Sequence, residues 1–558
     1  MNPHDSDPAA RPSAARPPVG SRRPRRLLAP LAPILLTGVL AACTTVGPDY
    51  QAPQLPASQG RWSQPVLPGA EPADLARWWA GLGDPVLERL VETALAQNLD
   101  LRQAAARIDE ARALRDRAAG AAQPSAGVGA SVNRRQQSRN GPLLVDTMPG
   151  LDANQTIYDA GFDATWEIDL FGGQRRALES ADAQLDMIEA EAQGVRVRIA
   201  AEVARTWLTA VGAGHELAAQ QDRLATLQHT LELMRRREAA GDASVADVDA
   251  AHAQWAQADA ALPDIQARQR AAVLGLGVLL GAPPEEELAL LESTPAPLTL
   301  RSLPVGERAD VLRRRPDVLA AERKLAASTA DIGVATAELF PKLSIGLGGG
   351  FQALGTGNWF DSSSTRFSIL PLISWRVFDG GRVRAEIRTR EAQQRQAALA
   401  YEQAVLAALG DAEHALTEYD ARLDALKRTW AALEANRRSF AHAQARYAAG
   451  DTTRVDLLSA ERRLHESVTS LVRVHTAAGV QLVALYKALG GGWEAPPVAL
   501  TPTSQPAPPR AIGSAVPADV QPANAAPGAR ARKLEARQRD RAAGRQSSAY
   551  AASGVATR

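Results

Sequence analysis

Cysteine is almost absent from this sequence, since Cys43 is the only one in 558 residues. One thiol cannot form an intrachain disulfide, so the fold must hold together without a covalent cross-link. Aromatic residues make up only 4% of the chain, whereas alanine is abundant. This composition favours long, close-packed helices over a β-sandwich.

The usual catalytic and metal-binding patterns are also missing. The eight histidines are scattered, and none forms a His-Glu-x-x-His pair or another spacing that would bring two imidazoles to one metal ion. No serine lies in a Gly-x-Ser-x-Gly elbow. We therefore expect the protein not to be an enzyme, and we expect no metal site and no cofactor.

The main part of the chain lacks both long apolar runs and an excess of positive charge. No stretch of 18 apolar residues follows residue 42, so we expect no transmembrane helix. The formal charge of the whole chain is +1, but the positive charge is concentrated in residues 1–42 and 497–558, and the residues between them are net negative. This distribution argues against binding to nucleic acid.

Cys43 stands where a bacterial lipid anchor would be attached. Arginines within 22–26 precede the apolar run 27–40, which is followed by two alanines and Cys43 and is too short to span a bilayer comfortably. We predict that residues 1–42 are a cleaved signal peptide and that Cys43 carries a diacylglycerol and an N-acyl chain. A short membrane anchor with an incidental cysteine is the alternative. Thr44, rather than an aspartate, favours the outer membrane over the inner one.

The sequence repeats itself once. Three groups of residues recur in the same order and with similar spacing, and they pair 98–102 with 315–319, 171–177 with 379–385, and 239–242 with 448–451. Matched groups in one order predict a tandem duplication.

The predicted organisation follows from these repeats and from composition. After the signal peptide, the predicted parts are an N-terminal lipid-anchored segment with a first short helix (43–94), repeat 1 (95–300), repeat 2 (301–493) and a Pro/Ala/Arg-rich tail (494–558). The tail has few large apolar residues and is expected to be disordered. Each repeat is expected to hold a helix, two strands, a long helix and a return helix.

Two proline-free runs, 172–241 and 380–449, predict the long helices. Each would be roughly 105 Å long at 1.5 Å per residue, and a coiled-coil arrangement accounts for their apolar spacing. Pro263 lies inside the return helix of repeat 1 and predicts a local kink there.

The extended segments alternate large apolar residues with small or polar ones, as in 343–351 and 166–170. This two-residue period indicates strands with one face in an apolar environment, either in a membrane β-barrel or in an ordinary half-buried sheet. Four strands cannot close a membrane barrel, and open edges in lipid leave backbone amides unsatisfied. We therefore expect copies of the chain to pool their strands, and three copies would give twelve.

Several short motifs together resemble one known family. They are 47–53 after the lipidation motif, Trp78-Trp79, Asn98 to Leu101, Trp166 to Gly172, Arg315 to Val318, Leu339 to Pro341 and Phe378 to Gly381. In this combination the chain resembles the outer-membrane factors of tripartite efflux pumps, the TolC-like channels, and specifically their NodT/OprM-like lipoprotein branch. The resemblance covers residues 43–493.

The resemblance implies a mixed, mainly α fold. A homotrimer would share one transmembrane antiparallel β-barrel, with four strands per chain, and a long α-helical barrel would continue it through the periplasm. The implied partners are a periplasmic adaptor (a membrane fusion protein), a proton-driven inner-membrane transporter and outer-membrane lipids. The implied function is export of small molecules such as drugs. The same channel serving type I protein secretion, or a non-conducting structural lipoprotein, is the alternative.

The resemblance also suggests where a gate would lie. Asp247 and Asp456 match the family's helix-tip aspartates, with Tyr447 and Arg454 on the turn of the second repeat and Asp249 as an extra acid in the first. Rings of these carboxylates in a trimer would repel one another and attract cations, whereas solvated helix caps are the simpler interpretation.

Two acidic residues inside a predicted strand, Glu167 and Asp169, are candidates for the channel lumen near the junction of barrel and helices, where they would favour cations. Bonds to neighbouring strands or loops are an equally good account of them.

Overall fold

Two helices of 67 residues each, Gly173–Ala239 and Arg382–Ala448, dominate the fold. The computed structural model describes residues 45–53, 60–63, 75–138, 152–292 and 295–492, which all belong to the unit Met1–Val498. The predicted signal peptide, Cys43 and the predicted tail lie outside the described residues, as does the second unit, Ala499–Arg558.

The described helices follow the order of the two predicted repeats. They are α1 (Pro85–Gln97), α2 (Leu99–Ala121), α3 (Gly173–Ala239), α4 (Val245–Ala260), α5 (Leu262–Leu280), α6 (Arg308–Arg314), α7 (Pro316–Ala337), α8 (Arg382–Ala448) and α9 (Arg454–Ala488). Short 3₁₀ helices lie at Ala80–Leu82, Pro284–Glu292, Thr356–Asn358 and Ser362–Ser364.

Both long helices begin at a glycine in the left-handed region. Gly172 has φ 79° and Gly381 has φ 86°, a conformation that side chains with a Cβ adopt at a cost. These glycines turn the chain from the end of a strand into a helix, so the start of each long helix is set locally.

The kink predicted at Pro263 is confirmed as a break between α4 and α5 at Ala261. Pro263 has no N–H to donate to the carbonyl of Asp259, four residues earlier. Next to that carbonyl, the carbonyl of Ala258 accepts a hydrogen bond from Nε2 of buried Gln220 on α3 at 2.8 Å. A side chain of the neighbouring long helix therefore holds the backbone beside the break.

The four strands form one antiparallel sheet in the order β1-β2-β3-β4. They are β1 (Ser125–Gln136), β2 (Asn154–Ile168), β3 (Lys342–Ala353) and β4 (Thr365–Ser374). β1 and β4 are the two edges of the sheet, and the central contact joins β2 of the first half of the chain to β3 of the second.

The main apolar core lies beside the middle of the long helices. Trp78, Trp79 and Trp207 are at most 2% exposed, and the Trp207 indole donates to Oδ2 of Asp84, the N-cap of α1, at 2.7 Å. The core thus ties the N-terminal helix α1 to α3.

Among the described helices, α9 alone contains a window long and apolar enough to cross a membrane, with a mean hydropathy of 1.3. The sequence predicted no such helix. A third of this window is buried, and α9 packs against both α3 and α8, so helix packing accounts for part of its apolar surface.

Candidate functional site

The sheet has one polar and one apolar face, and both are largely uncovered. On β2, Asp159, Asp163 and Glu167 share a face because they are separated by even steps. We call this the polar face. The opposite, apolar face carries Val128 and Phe367, which are 90% and 74% exposed.

An ion pair crosses the polar face. Nη2 of Arg366 on β4 donates to Oδ1 of Asp159 on β2 at 2.8 Å, and Gln352 Nε2 donates to Oδ2 at 2.9 Å. Arg366 must reach over β3, where its register partner is Gly350. A Cβ added at Gly161 would lie 3.1 Å from Arg366 Nη2, so small residues leave room for the arginine.

The structure gives the two predicted lumen residues different roles. Glu167 lies on the polar face, opposite Ser344. β2 ends at Ile168, so Asp169 lies after the strand and not inside it as predicted. Its Oδ2 accepts hydrogen bonds from the backbone N–H and Nε of Arg175 at 3.0 and 3.3 Å. Asp169 therefore fixes the start of α3, and the lumen role of Glu167 stays a prediction.

Matching tryptophans mark the level at which the sheet meets the helices. The Trp166 indole donates to the carbonyl of Ala122, and the Trp375 indole donates to the carbonyl of Leu339, both at 3.0 Å. Both side chains are more than a third exposed. Amphipathic rings in such positions are typical of a membrane–water interface.

The N-terminal segment is bound at the same level. The Val46 N–H donates to the Phe171 carbonyl at 3.1 Å, and Arg176, only 3% exposed, donates to the carbonyls of Val46 and Gly47 and to Asp49 at 3.1, 3.3 and 2.6 Å. The first described residue, Thr45, touches Gly172. Cys43, two residues earlier, lies outside the described residues.

Two buried polar side chains join helices end to end. Asn98 caps α2 and donates from Nδ2 to the carbonyl of Leu279 near the end of α5, at 2.7 Å. Arg315 precedes α7 and donates from Nη1 to the carbonyl of Ala488, the last residue of α9, at 3.1 Å. These residues marked the repeats in the sequence, but their joining role was not predicted.

Arg315 uses all its donors. Beyond the Ala488 carbonyl, it binds both oxygens of Asp317 at 3.0 and 2.7 Å, Oδ2 of Asp411 at 3.1 Å and the carbonyl of Ala408 at 3.3 Å. Burial alone would raise the pKa of Asp317, but the hydrogen bonds and charge of Arg315 outweigh it and hold that pKa below its usual value. The junction is therefore a fixed, paired charge cluster.

The candidate gate aspartates both form capping boxes at the tips of the helical hairpins. Asp247 Oδ2 accepts from the backbone N–H of Ser244 at 2.9 Å and from its hydroxyl at 2.7 Å. Asp456 Oδ2 accepts from the hydroxyl of Thr453 at 2.6 Å and from its N–H at 3.2 Å. These hydrogen bonds lower the pKa of both carboxyl groups. Asp249 is exposed further along α4.

The structure also brings together the other two gate candidates. The Arg454 guanidinium carbon lies 5.6 Å from the centroid of the Tyr447 ring, within the range of a cation–π contact. Tyr447 is 42% exposed. The tip of the second hairpin thus presents a positive charge held against an aromatic ring.

The segment 295–301 is held against the helices by side chains from three of them. His215 of α3, His475 of α9 and Tyr419 of α8 contact the carbonyls of Pro295, Leu298 and Arg301 at 3.0, 2.9 and 2.8 Å. An apolar cavity of about 560 Å³ lies beside these contacts and is partly lined by Trp430. Within the described part of the chain, no group of three His, Cys, Asp or Glu side chains is arranged to hold a metal ion.

A family model and two known proteins each match most of this chain. The model of a family described as outer membrane efflux protein matches residues 90–282 and 308–491. The pyoverdine export outer membrane protein OpmQ of Pseudomonas putida is 32% identical over 477 residues, 85% of this chain and 98% of that protein. The outer membrane protein OprJ of Pseudomonas aeruginosa is 30% identical, with 83% and 95% covered.

A solved structure, that of the outer-membrane channel OprN, is similar with a TM-score of 0.71 and 36% identity. The similarity covers 80% of this chain and 99% of that one.

Proposed function

We infer that this chain, which belongs to the outer membrane efflux protein family, is the outer-membrane channel that forms the exit duct of an efflux pump. The observation that carries this conclusion is the four-stranded sheet, which has an exposed apolar face, a polar face and two open edges. Its strands β2 and β4 lead into the two 67-residue helices. Such a sheet is suited to a barrel wall between lipid and water.

The assembly we propose is a homotrimer. Four strands per chain are too few for a closed membrane barrel, and unpaired edges in lipid are costly, so three copies would supply twelve strands and enclose the polar faces. The helices would continue this barrel as a periplasmic tunnel. Tandem duplication is supported by paired features of the two halves, such as the capping boxes at Asp247 and Asp456.

Lipid attachment at Cys43, after cleavage of residues 1–42, is part of this proposal. It is supported by the position of Thr45 beside Gly172, at the level of the interfacial tryptophans Trp166 and Trp375. The acyl chains would add a second attachment to that of the barrel.

The other components of the pump are also proposed. A periplasmic adaptor and an inner-membrane transporter, driven by protons, would deliver substrates to the helical end of the channel. By name, the relative OpmQ exports pyoverdine, and small molecules of this kind are the substrate class we propose. Selection among them would occur in the transporter, and the channel itself would perform no catalysis.

The conclusion can be tested by deleting the gene and measuring susceptibility to drugs, dyes, detergents and metal ions. Efflux predicts increased susceptibility to some of these compounds and restoration by the intact gene. The purified protein should conduct ions in planar bilayers and run as a heat-dissociable trimer. Loss of a secreted protein with unchanged susceptibility would favour type I secretion. A monomer that does not conduct would favour a structural lipoprotein.

The gate at the helix tips is proposed for Asp247, Asp249, Tyr447, Arg454 and Asp456. Alanine at both Arg454 and Asp456 should loosen the closed state and raise single-channel conductance in a bilayer. The double variant Asp424→Ala/Lys427→Ala, which removes an exposed ion pair of α8 away from the tip, is the matched control. Unchanged conductance in the Arg454/Asp456 variant would contradict the gate.

A further inference from the structure

The β4 edge of the sheet lacks a neighbouring strand in a single chain. β4 carries Leu370 and Leu372 on the polar face, 61% and 52% exposed, where polar or small side chains are expected. Beyond the end of β4, Val377 and Phe378 are 77% and 91% exposed and have no strand partner among the described residues. Both features call for a strand beside β4.

The two hairpins have the same internal register. Ser125 pairs with Thr165 in the first hairpin, and Lys342 pairs with Ser374 in the second. Adding 217 to a β1 number therefore gives its β3 counterpart, and adding 209 to a β2 number gives its β4 counterpart. The tryptophan contacts obey the same offsets, since Trp166 with Ala122 corresponds to Trp375 with Leu339.

The strand register between the two hairpins of one chain then predicts the strand register between two copies of the chain. In β2 and β3, Asp163 lies opposite Gly348. The counterpart of Asp163 is Leu372, and that of Gly348 is Ser131. We propose that β4 of one copy pairs with β1 of the next in this register, so that Leu372 lies opposite Ser131 of the partner subunit. The proposal rests on the homotrimer proposed above and specifies its closing strand pair.

This register explains why β4 is shorter than β2. β2 continues to Ile168, which pairs with Leu343, and the counterpart of Ile168 is Val377. β4 ends at Ser374, three residues earlier, because the strand that would extend its ladder belongs to another copy. In the trimer, β4 would continue to Val377.

The register also covers the exposed apolar side chains. On the apolar face, Trp375 would lie opposite Val128 of the partner subunit, the residue that is 90% exposed in one chain. An aromatic ring beside a β-branched side chain is a favourable cross-strand pair. A shift of one residue would turn every β1 side chain to the wrong face, so shifts of two are the alternatives to test.

On the polar face, the two leucines would lie beside small or uncharged residues. Leu370 would be opposite Asn133 and Ser374 opposite Gly129 of the partner subunit. Gly129 has open space where a Cβ would be, so Leu372, which would lie diagonally across from it, can cover this position. Leu370 and Leu372 would then be interprotomer contacts on the inner wall of the barrel.

Engineered cysteines in the full-length protein test the register. Directly opposite residues in an antiparallel pair have Cα atoms about 4.5–5.5 Å apart, which suits a disulfide, whereas diagonal neighbours are farther apart. Leu372→Cys is combined with Ser131→Cys and, as matched controls, with Gly129→Cys or Asn133→Cys. Single-cysteine variants show the background from Cys43. Cross-linking is measured as covalent dimers and trimers on non-reducing gels after unfolding.

We expect the Leu372→Cys/Ser131→Cys pair to cross-link several-fold more than either control pair. Stronger cross-linking in a control pair, or none in a protein that still runs as a trimer, would overturn the register and leave the homotrimer intact. A protein that cross-links in no combination and runs as a monomer without heating would overturn the homotrimer itself.

Discussion

Replacement of Arg315 tests the end-to-end helix junction most directly. In Arg315→Met the apolar stem is kept, but the charge and all five donors are lost. The carbonyl of Ala488 ends a helix and would lose its partner, at a cost of about 1–3 kcal/mol. Removing one member of a buried ion pair costs about 3–5 kcal/mol. Asp317 and Asp411 are 54% and 62% exposed, however, so water can replace part of the loss.

The expected net destabilisation is therefore about 2–4 kcal/mol. It is measured as a lower unfolding temperature of the purified protein in detergent. Arg313→Met is the control, because the Arg313 side chain is 78% exposed and its loss should change stability by less than about 0.5 kcal/mol. Equal effects of the two substitutions would refute the role of Arg315 in joining the helices end to end. A double-mutant cycle with Asp411→Asn should show coupling.

Two further predictions concern the return helix and the hairpin tip. Gln220→Leu leaves the Ala258 carbonyl without its side-chain donor and should destabilise the protein by about 1–3 kcal/mol. Exposed Gln228→Leu should not, and thermal unfolding of both variants decides the point. Because hydrogen bonds from Thr453 lower the pKa of Asp456 from 3.8, its stabilisation of the tip is present above pH 3.8 and is lost as pH falls through the lowered value. Protection of the tip amides from hydrogen exchange, taken relative to the unfolded chain at the same pH, should therefore fall in strong acid. Asp456→Asn should abolish this step, and the same pH profile in the variant and the unsubstituted protein would contradict the role.

The features that the sequence predicted correctly are those set by local residues. Proline-free runs predicted long helices because proline is what interrupts a helix, and Pro263 predicted the break near Ala261 because it removes a backbone donor. The start of each long helix follows from Gly172 and Gly381, which permit the turn that precedes it.

Contacts between distant parts of the chain could not be predicted in this way. The Arg366–Asp159 pair depends on β3 lying between β2 and β4 and on its glycines, which only the sheet order reveals. Asn98 and Arg315 were visible as repeat markers, but their function depends on where other helices end. Asp169 was predicted to lie in a strand and face a lumen, and nothing in its local sequence reveals that it binds Arg175 instead.

The capping role of the tip aspartates is compatible with the gating role that we propose for them. Oδ2 of Asp247 and of Asp456 holds its capping box, while Oδ1 of each makes no hydrogen bond within the described part of the chain. The same hydrogen bonds keep the carboxylates ionised and fix their positions. In a trimer, such groups cannot turn away from one another to relieve repulsion, so a closed end would require a nearby cation. Arg454, held against Tyr447, is the charge on the second tip that could supply it, which is why its loss together with Asp456 should open the channel.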